Sequence, residues 1–220
     1  MQSACMVSSM EITKHTHATV VLTKDATSLV IDPGAYTPNS AELVAAASAV
    51  LITHDHPDHF DAAILDAALD ARANLEVWAP GSVVDALAEH GDRVHAVTAG
   101  EVVRAAGFDV FVLGEHHASI HPDVPDMDNV GYLVDGSVYH PGDSYVLPDA
   151  AVDVLLLPTS GPWAKLDAAV DFVRAVSPSR VVQVHDIMLS DVGRQAFARF
   201  IGQLTGRDVE TVEPGTRITV

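Results

Sequence analysis

The stretch Ala49-Val50-Leu51-Ile52-Thr53-His54-Asp55-His56-Pro57-Asp58-His59 sets the reading of the whole chain. Its first four residues are an apolar run of strand type, and the run ends abruptly in a polar cluster, which places that cluster on the loop beyond a strand. Such loops often carry function. From His54 to His59 there are three imidazoles and two carboxylates. Neutral imidazole nitrogen and carboxylate oxygen are the donors that zinc and similar cations prefer. In an extended segment His54 and His56 point to one side, so they can share one metal. A turn at Pro57 would send Asp58 and His59 on another heading, where they could hold a second cation, roughly 3.5–4 Å from the first in typical two-metal sites. The rival reading is a polar loop whose histidines only hydrogen-bond to backbone, and the density of donors argues against it.

Working outward, strand-type runs cover Thr19 to Leu22 and Ser28 to Ile31, joined by Lys24-Asp25-Ala26-Thr27 as a hairpin and stopped by Asp32-Pro33-Gly34. Beyond the cluster, Asp61 to Arg72 repeats its apolar residues at helical spacing, Leu75 to Trp78 reads as a strand, and Val83 to Glu89 as a short helix after Pro80-Gly81-Ser82. Strands are expected at Val94 to Val97, Val102 to Val103, Phe108 to Leu113, Val130 to Val134 and Ser137 to Tyr139. The continuous apolar run Val152 to Leu157 predicts a buried strand, followed by a helix at Leu166 to Val176, a strand at Arg180 to Val184 and a helix at Asp191 to Leu204. Groups of strands alternate with helices in both halves. The pattern predicts an α/β fold of two sheets packed face to face with helices outside, a four-layer αββα sandwich. One domain over 10–220 is expected, preceded by a loose extension at 1–9.

Bulk properties narrow the partners. The 220 residues are 48% apolar and 19% charged, a globular composition, and the net charge is −18 with neutral histidines. With no basic run to offset that charge, nucleic acid and anionic membrane are excluded as natural partners, and a small-molecule substrate is expected. No window approaches the ~20 apolar residues of a membrane helix. A lone cysteine, Cys5, and a start without a signal-peptide pattern make a reducing cytoplasm the expected location. A homo-oligomer stays open.

Thr53-His54-Asp55-His56-Pro57-Asp58-His59 resembles the T-H-x-H-x-D-H signature of the metallo-β-lactamase superfamily, whose fold is the αββα sandwich. From His17 to His185 the pattern is most similar to the small single-domain branch of L-ascorbate-6-phosphate lactonase-like metal-dependent hydrolases. The resemblance implies three further metal ligands. A bridging acid matches Asp143 in Tyr139-His140-Pro141-Gly142-Asp143-Ser144, and a final histidine matches His185 at the end of Val181-Val182-Gln183-Val184. The remaining ligand falls in Gly114-Glu115-His116-His117-Ala118-Ser119-Ile120-His121, where His117 fits best and His121 is the alternative. His116 would point the other way in an extended segment. Asp32 occupies the family's strand-then-D-P-G position and would orient a ligand histidine, its other reading being a turn carboxylate. His17-Ala18-Thr19 resembles a G-H-A/S stretch with Thr16 in place of the glycine, making His17 a candidate pocket residue. Trp163 either lines the pocket or packs as a lid. His15, His90, His95 and His140 read as surface or satisfied loop residues.

The resemblance implies two divalent ions, zinc first with manganese or iron as alternatives, held by His54, His56, Asp58, His59, His117, Asp143 and His185. A hydroxide held between two such ions is a nucleophile at neutral pH, with Asp58 orienting it and Asp143 the second catalytic carboxylate. The implied activity is hydrolysis of a small ester, lactone, thioester or phosphodiester. Asp143 stands where many β-lactamases proper carry cysteine, which argues against antibiotic hydrolysis. No flavodoxin-like part is attached, which argues against redox members. Two other classes stay open, a metal-binding sensor or regulatory module without catalysis, and a scaffold that kept the fold and lost the reaction.

Overall fold

A computed structural model describes residues 10–220, so the expected extension at 1–9 lies outside the described residues. The first half contains β1 (Glu11–Lys14), β2 (Val20–Lys24), β3 (Thr27–Ile31), α1 (Ser40–Ala46), β4 (Ala49–Leu51), α2 (Ala62–Ala71), β5 (Val77–Ala79), α3 (Gly81–Ala86) and β6 (Val94–Ala96). The second contains β7 (Val102–Ala105), β8 (Phe108–Leu113), β9 (Gly131–Val134), β10 (Val138–His140), β11 (Val154–Pro158), α4 (Leu166–Val176), β12 (Arg180–Val184), α5 (Asp191–Thr205), β13 (Val209–Glu210) and β14 (Thr216–Thr219).

Two seven-stranded sheets result, in the orders β14-β1-β2-β3-β4-β5-β6 and β13-β12-β11-β10-β9-β8-β7. Strands β3 to β6 run parallel, as do β10 to β13. Parallel strands are buried on both faces, which is why they read as unbroken apolar runs. Alternation then divides the side chains between two layers. In β3, Leu29 and Ile31 join the core between the sheets while Val30 faces the helices; in β11, Val154 and Leu156 point inward and Leu155 and Leu157 outward. Helices α1, α2 and α3 cover the outer face of the first sheet through Val44, Leu65, Leu69 and Val83, and α4 and α5 cover the second through Val170, Phe172, Val173 and Ile201. The αββα sandwich is therefore formed. Truncating a side chain such as Leu65 to alanine should cost about 2–5 kcal/mol, the usual range for a buried leucine.

Local chemistry fixes the ends. The β2–β3 hairpin turns at Asp25 and Ala26, with Asp25 in the left-handed region. The Asp61 carboxylate caps α2 by accepting the Ile64 N–H, and Ser190 caps α5 by accepting that of Gly193. α4 matches its expected span, as does β12. The helix expected at 83–89 is corrected: α3 begins at Gly81 and ends at Ala86, and a 3-10 turn over Ala88–Arg93 follows, broken by the left-handed Gly91. The strand expected from Val152 begins at Val154. Helix α1 and strands β1, β13 and β14 were not among the expected elements. Each is short, and in β1 the inward position 14 is a lysine rather than an apolar residue. No helix among the described residues is long and apolar enough to cross a membrane.

The topology gathers the ends of parallel strands from both sheets along one edge of the sandwich. Ligands of α/β proteins commonly bind beyond the carboxyl ends of strands. Here those ends are followed by Asp32 after β3, Thr53 to His59 after β4, Asp143 after β10, Trp163 after β11 and His185 after β12.

Candidate metal centre

The loop after β4 is tied down before its histidines are considered. Asp32 accepts the Thr53 N–H at Oδ1 (2.8 Å) and the Thr53 hydroxyl at Oδ2 (2.7 Å). From the opposite sheet, the Tyr132 hydroxyl donates to the Ile52 carbonyl and the Val130 N–H to the Thr53 carbonyl. Gly34 is required where the 32–37 segment crosses the loop, since a Cβ there would lie 2.1 Å from the Asp58 carbonyl carbon. His17, Asp32 and His185 all adopt left-handed backbone (φ 60°, 52° and 51°), a conformation that costs energy in non-glycine residues and clusters at functional sites. It is held here by the His185 N–H donating to the His17 carbonyl and by the Ser160 hydroxyl donating to the His185 carbonyl.

Two groups of donors converge at this edge, His17, Asp58, His59 and His185 in one and His54, His56, His117 and Asp143 in the other, the donor atoms within each lying within 4.8 Å of one another. Asp143 stands between them. Its Oδ1 is 3.2 Å from both His59 Nε2 and His185 Nε2, and its Oδ2 is 3.3 Å from His117 Nε2 and 4.0 Å from His54 Nε2. Asp58 Oδ2 is 3.4 Å from His185 Nε2 and 3.8 Å from His59 Nε2.

Hydrogen bonds on the far side of each ring assign its tautomer. His59 Nδ1 lies 2.7 Å from Asp32 Oδ2, His54 Nδ1 3.0 Å from the Thr53 hydroxyl, and His117 Nδ1 2.6 Å from the Ala118 carbonyl. The Thr53 hydroxyl proton is committed to Asp32, so it can accept from His54. In each case Nδ1 carries the proton and an Nε2 lone pair faces the centre, the arrangement expected of an oriented ligand histidine. His56 is reversed: Nε2 contacts the Met127 sulfur at 3.2 Å and Nδ1 faces His54 Nε2 at 3.0 Å. His17 is different again. The Ile187 N–H reaches its Nδ1 at 3.5 Å, so the proton sits on Nε2 and is donated to Asp58 Oδ2 at 2.9 Å. His17 therefore orients Asp58 rather than offering a free lone pair.

The donor set fits cations. Buried His59 Nε2, His117 Nε2, His185 Nε2 and Asp143 Oδ1 have no hydrogen-bond partner, a costly state unless something else satisfies them. Burial pushes His54 and His56 below the usual histidine range and His17 down to about 4, which keeps these rings neutral. Burial opposes charge on Asp143 and Asp58 as well. Yet for Asp143 the neighbouring His59 and His185, and for Asp58 its hydrogen bond to His17 with His185 and His59 close by, hold the carboxyls well below the usual range. His59 and His185 are raised against their own burial by Asp143, aided by Asp32 and Asp58 respectively. A pocket that draws positive charge inward is one that a divalent cation can occupy.

The structure thus brings His54, His56, Asp58, His59, His117, Asp143, His185, Asp32 and His17 together. It does not bring in His121, which is exposed and accepts the Asp123 N–H, nor His116, exposed beside Asp128. Trp163 is buried, and its Nε1–H donates to Asp143 Oδ2 at 2.9 Å, a role the sequence reading did not assign. His140, expected at the surface or in a loop, ends β10 in the interior, donating to the Ala18 carbonyl and accepting the Gly142 N–H. Asn129 was also missed. Its Oδ1 accepts the Asp143 N–H and its Nδ2 donates to the Pro141 carbonyl. No spacing signal marks it.

Fold and edge together define a metallo-β-lactamase fold. The family described as the β-lactamase superfamily domain matches residues 11–185, and the chain belongs to it. It is 33% identical over 215 residues to Protein Rv0786c of Mycobacterium tuberculosis, covering 96% of this chain and 100% of that one. Among solved structures, a metallo hydrolase of the archaeon Ignicoccus hospitalis superposes with a TM-score of 0.75 at 20% identity, covering 97% and 99% of the two chains. The metallo-β-lactamase fold protein YhfI of Bacillus subtilis gives 0.77 at 14% identity, covering 97% and 100%.

Proposed function

We propose that the chain is a hydrolase that works with two divalent metal ions on a small ester, lactone, thioester or phosphodiester. His54, His56 and His117 would hold one ion, and Asp58, His59 and His185 the other, with Asp143 shared. The observation that carries this reading is the Asp143 carboxylate, whose two oxygens face the two donor groups at 3.2–3.3 Å. When bound, such ions supply Lewis acidity and an activated water near neutral pH. The chain's own residues do the rest. His17 fixes Asp58 through Nε2–H, leaving Asp58 ionised at the centre, where Oδ2 can orient a water and accept its proton. Trp163 and Asn129 lock Asp143 in place. The Ignicoccus protein's description as a metallo hydrolase supports the same reading.

The test is metal quantification on purified protein, paired with a hydrolase panel before and after stripping and restoring zinc, manganese or iron. Two ions per chain and metal-dependent turnover are expected. Tight metal without turnover of any panel member would instead favour a sensor, and substoichiometric metal that cannot be restored would favour an inactive scaffold.

A further inference from the structure

Nine large apolar side chains are exposed among the described residues, and five of them, Tyr36, Val124, Leu147, Ile187 and Met188, stand on the loops that carry the site. Each is 40–52% exposed. Tyr36 follows Asp32, with its ring centroid 5.4 Å from that of His17. Ile187 and Met188 follow His185, and Ile187 is bonded through its N–H to the same His17 ring. On the other side, Val124 shares a hollow with His117, Ile120 and Met127, and Leu147 comes just after Asp143. Exposed apolar residues are ordinary when scattered, but gathered around one site they mark a binding surface.

Charge gives the second half of the argument. Segments 32–39, 52–61, 114–130, 141–153, 159–165 and 185–190 contain one lysine or arginine in all, Lys165. The loop bearing His117 instead exposes Glu115, Asp123, Asp126 and Asp128. Two cations, buried Lys14 and half-buried Arg194, do lie beside His17 in a cleft of about 210 Å³, but both are committed. Lys14 Nζ is 3.0 Å from Asp186, and Arg194 is 3.0 Å from Asp186 and 3.5 Å from Glu213. Among the described residues of these segments, then, Lys165 is the one cation, standing exposed at the start of α4, and the acidic rim repels a substrate's phosphate or carboxylate.

Building on the hydrolytic reading above, we propose that the substrate is an uncharged carboxylic ester, open-chain or cyclic, whose hydrocarbon arm lies on the rim formed by Tyr36, Ile187, Met188, Val124 and Leu147. This narrows the range of small ester, lactone, thioester or phosphodiester that the family resemblance implies. In the reaction a water oxygen bonds to the acyl carbon and the acyl–oxygen bond breaks with its electron pair passing to the alcohol oxygen. One water proton ends on that oxygen and the acid product ionises.

The test uses the metal-loaded full chain. Turnover is compared for p-nitrophenyl acetate, butyrate and hexanoate, for a hexanoate analogue ending in a carboxylate, for γ-butyrolactone and γ-octanolactone, and for bis-p-nitrophenyl phosphate. The expected kcat/KM rises about two- to fourfold per added methylene, the scale of burying one such group, and the carboxylate-ended chain falls well below its neutral counterpart. The double variant Ile187→Ser, Met188→Ser should flatten the chain-length dependence. As a readout independent of turnover, N-hexylacetamide should shift the methyl NMR signals of Ile187, Met188, Val124 and Leu147. Ester hydrolysis without chain-length dependence, or preference for the phosphodiester or the carboxylate-ended chain, overturns this proposal and leaves the hydrolytic reading intact. Methyl shifts without any hydrolysis uphold the apolar rim and overturn the hydrolytic reading, and absence of both overturns the two together.

Discussion

Two loops deliver imidazoles to the same donor group and are built on different principles. The loop 53–59 is anchored in the interior at both ends. His54 and His59 are fully buried, Thr53 is bonded to Asp32 through both backbone and hydroxyl, and the His59 and Phe60 N–H groups both donate to the His56 carbonyl. The loop 114–129 is mostly exposed and is held near its two ends. The His117 N–H donates to the Met127 carbonyl, that of Asn129 to the Glu115 carbonyl, and that of Ala118 to the Asp143 carbonyl. His117 is oriented by a bond to its own neighbour, Ala118, rather than by the core. One loop has its geometry imposed by the sandwich, and the other presents a ligand from a strip that can move without disturbing the interior. Function that depends on closing around a ligand is drawn from segments of the second kind.

The contrast can be broken most forcefully at His117. His117→Ala removes the proposed donor from the exposed loop, so affinity for one of the two ions should fall by more than the roughly 10- to 100-fold that outer partners of metal ligands command. Thermal stability of the metal-free chain should change little, because the buried Nε2 of His117 has no hydrogen-bond partner to lose and the loop around it is mostly exposed. Titration with a chromophoric chelator and a melting curve would show both. His121→Ala, four residues further along the same loop, should leave metal binding and melting as they are. A loss on His121→Ala equal to that on His117→Ala would show that the donor had been assigned to the wrong histidine.

A substitution at the residue that anchors the interior loop should divide its effect the other way. Asp32→Asn keeps the volume but replaces one accepting oxygen with an NH2 group, which strands the Thr53 N–H if it replaces Oδ1 and both the Thr53 hydroxyl and the His59 Nδ1–H if it replaces Oδ2. A buried donor left unsatisfied costs about 1–3 kcal/mol. The expected result is a loss of stability of that size in the metal-free protein, together with a roughly 10- to 100-fold drop in metal affinity as His59 loses its orientation. If Asp32→Asn weakens metal binding with no change in the metal-free melting curve, the rigidity claimed for this loop is misplaced.

The same contrast explains what could be read in the chain before its structure. The 53–59 donors are close in sequence, so their density alone announced a site, and the apolar run of β4 placed it at a strand end. Strands such as β11 and β12 were legible because burial on both faces leaves an unbroken apolar signal. His116 could be set aside by the side it would face in an extended segment, but His117 had to be separated from His121 with nothing to distinguish them but a neighbouring alanine, since orientation in an exposed loop leaves little periodic trace. Tautomer partners such as the Ala118 carbonyl are backbone atoms and have no signature at all. His140 and Trp163 were misjudged or left undecided for a related reason. An isolated polar or aromatic residue acquires a role only from what the fold sets beside it, here Ala18 in one case and Asp143 in the other. β1 stayed hidden because Lys14 fills an inward position, its charge met by Asp186 from the far end of the chain.

The finest test concerns the point where the two loops touch, His56 Nε2 against the Met127 sulfur at 3.2 Å. A thioether is a weak acceptor, so this contact should be worth less than the 0.5–1.5 kcal/mol of an ordinary neutral hydrogen bond. Met127→Leu keeps the apolar volume, a swap that usually costs under about 1.5 kcal/mol even in a core, and Met127 is only half-buried. If the exposed loop adapts to the interior one, His56 keeps its place through the backbone of its own loop, and metal affinity should fall by no more than about threefold. A fall of tenfold or more in the chelator titration would mean that His56 is aimed by Met127. The interior loop would then depend on the exposed one for its geometry, and the order of dependence argued from Asp32 and Thr53 would have to be reversed.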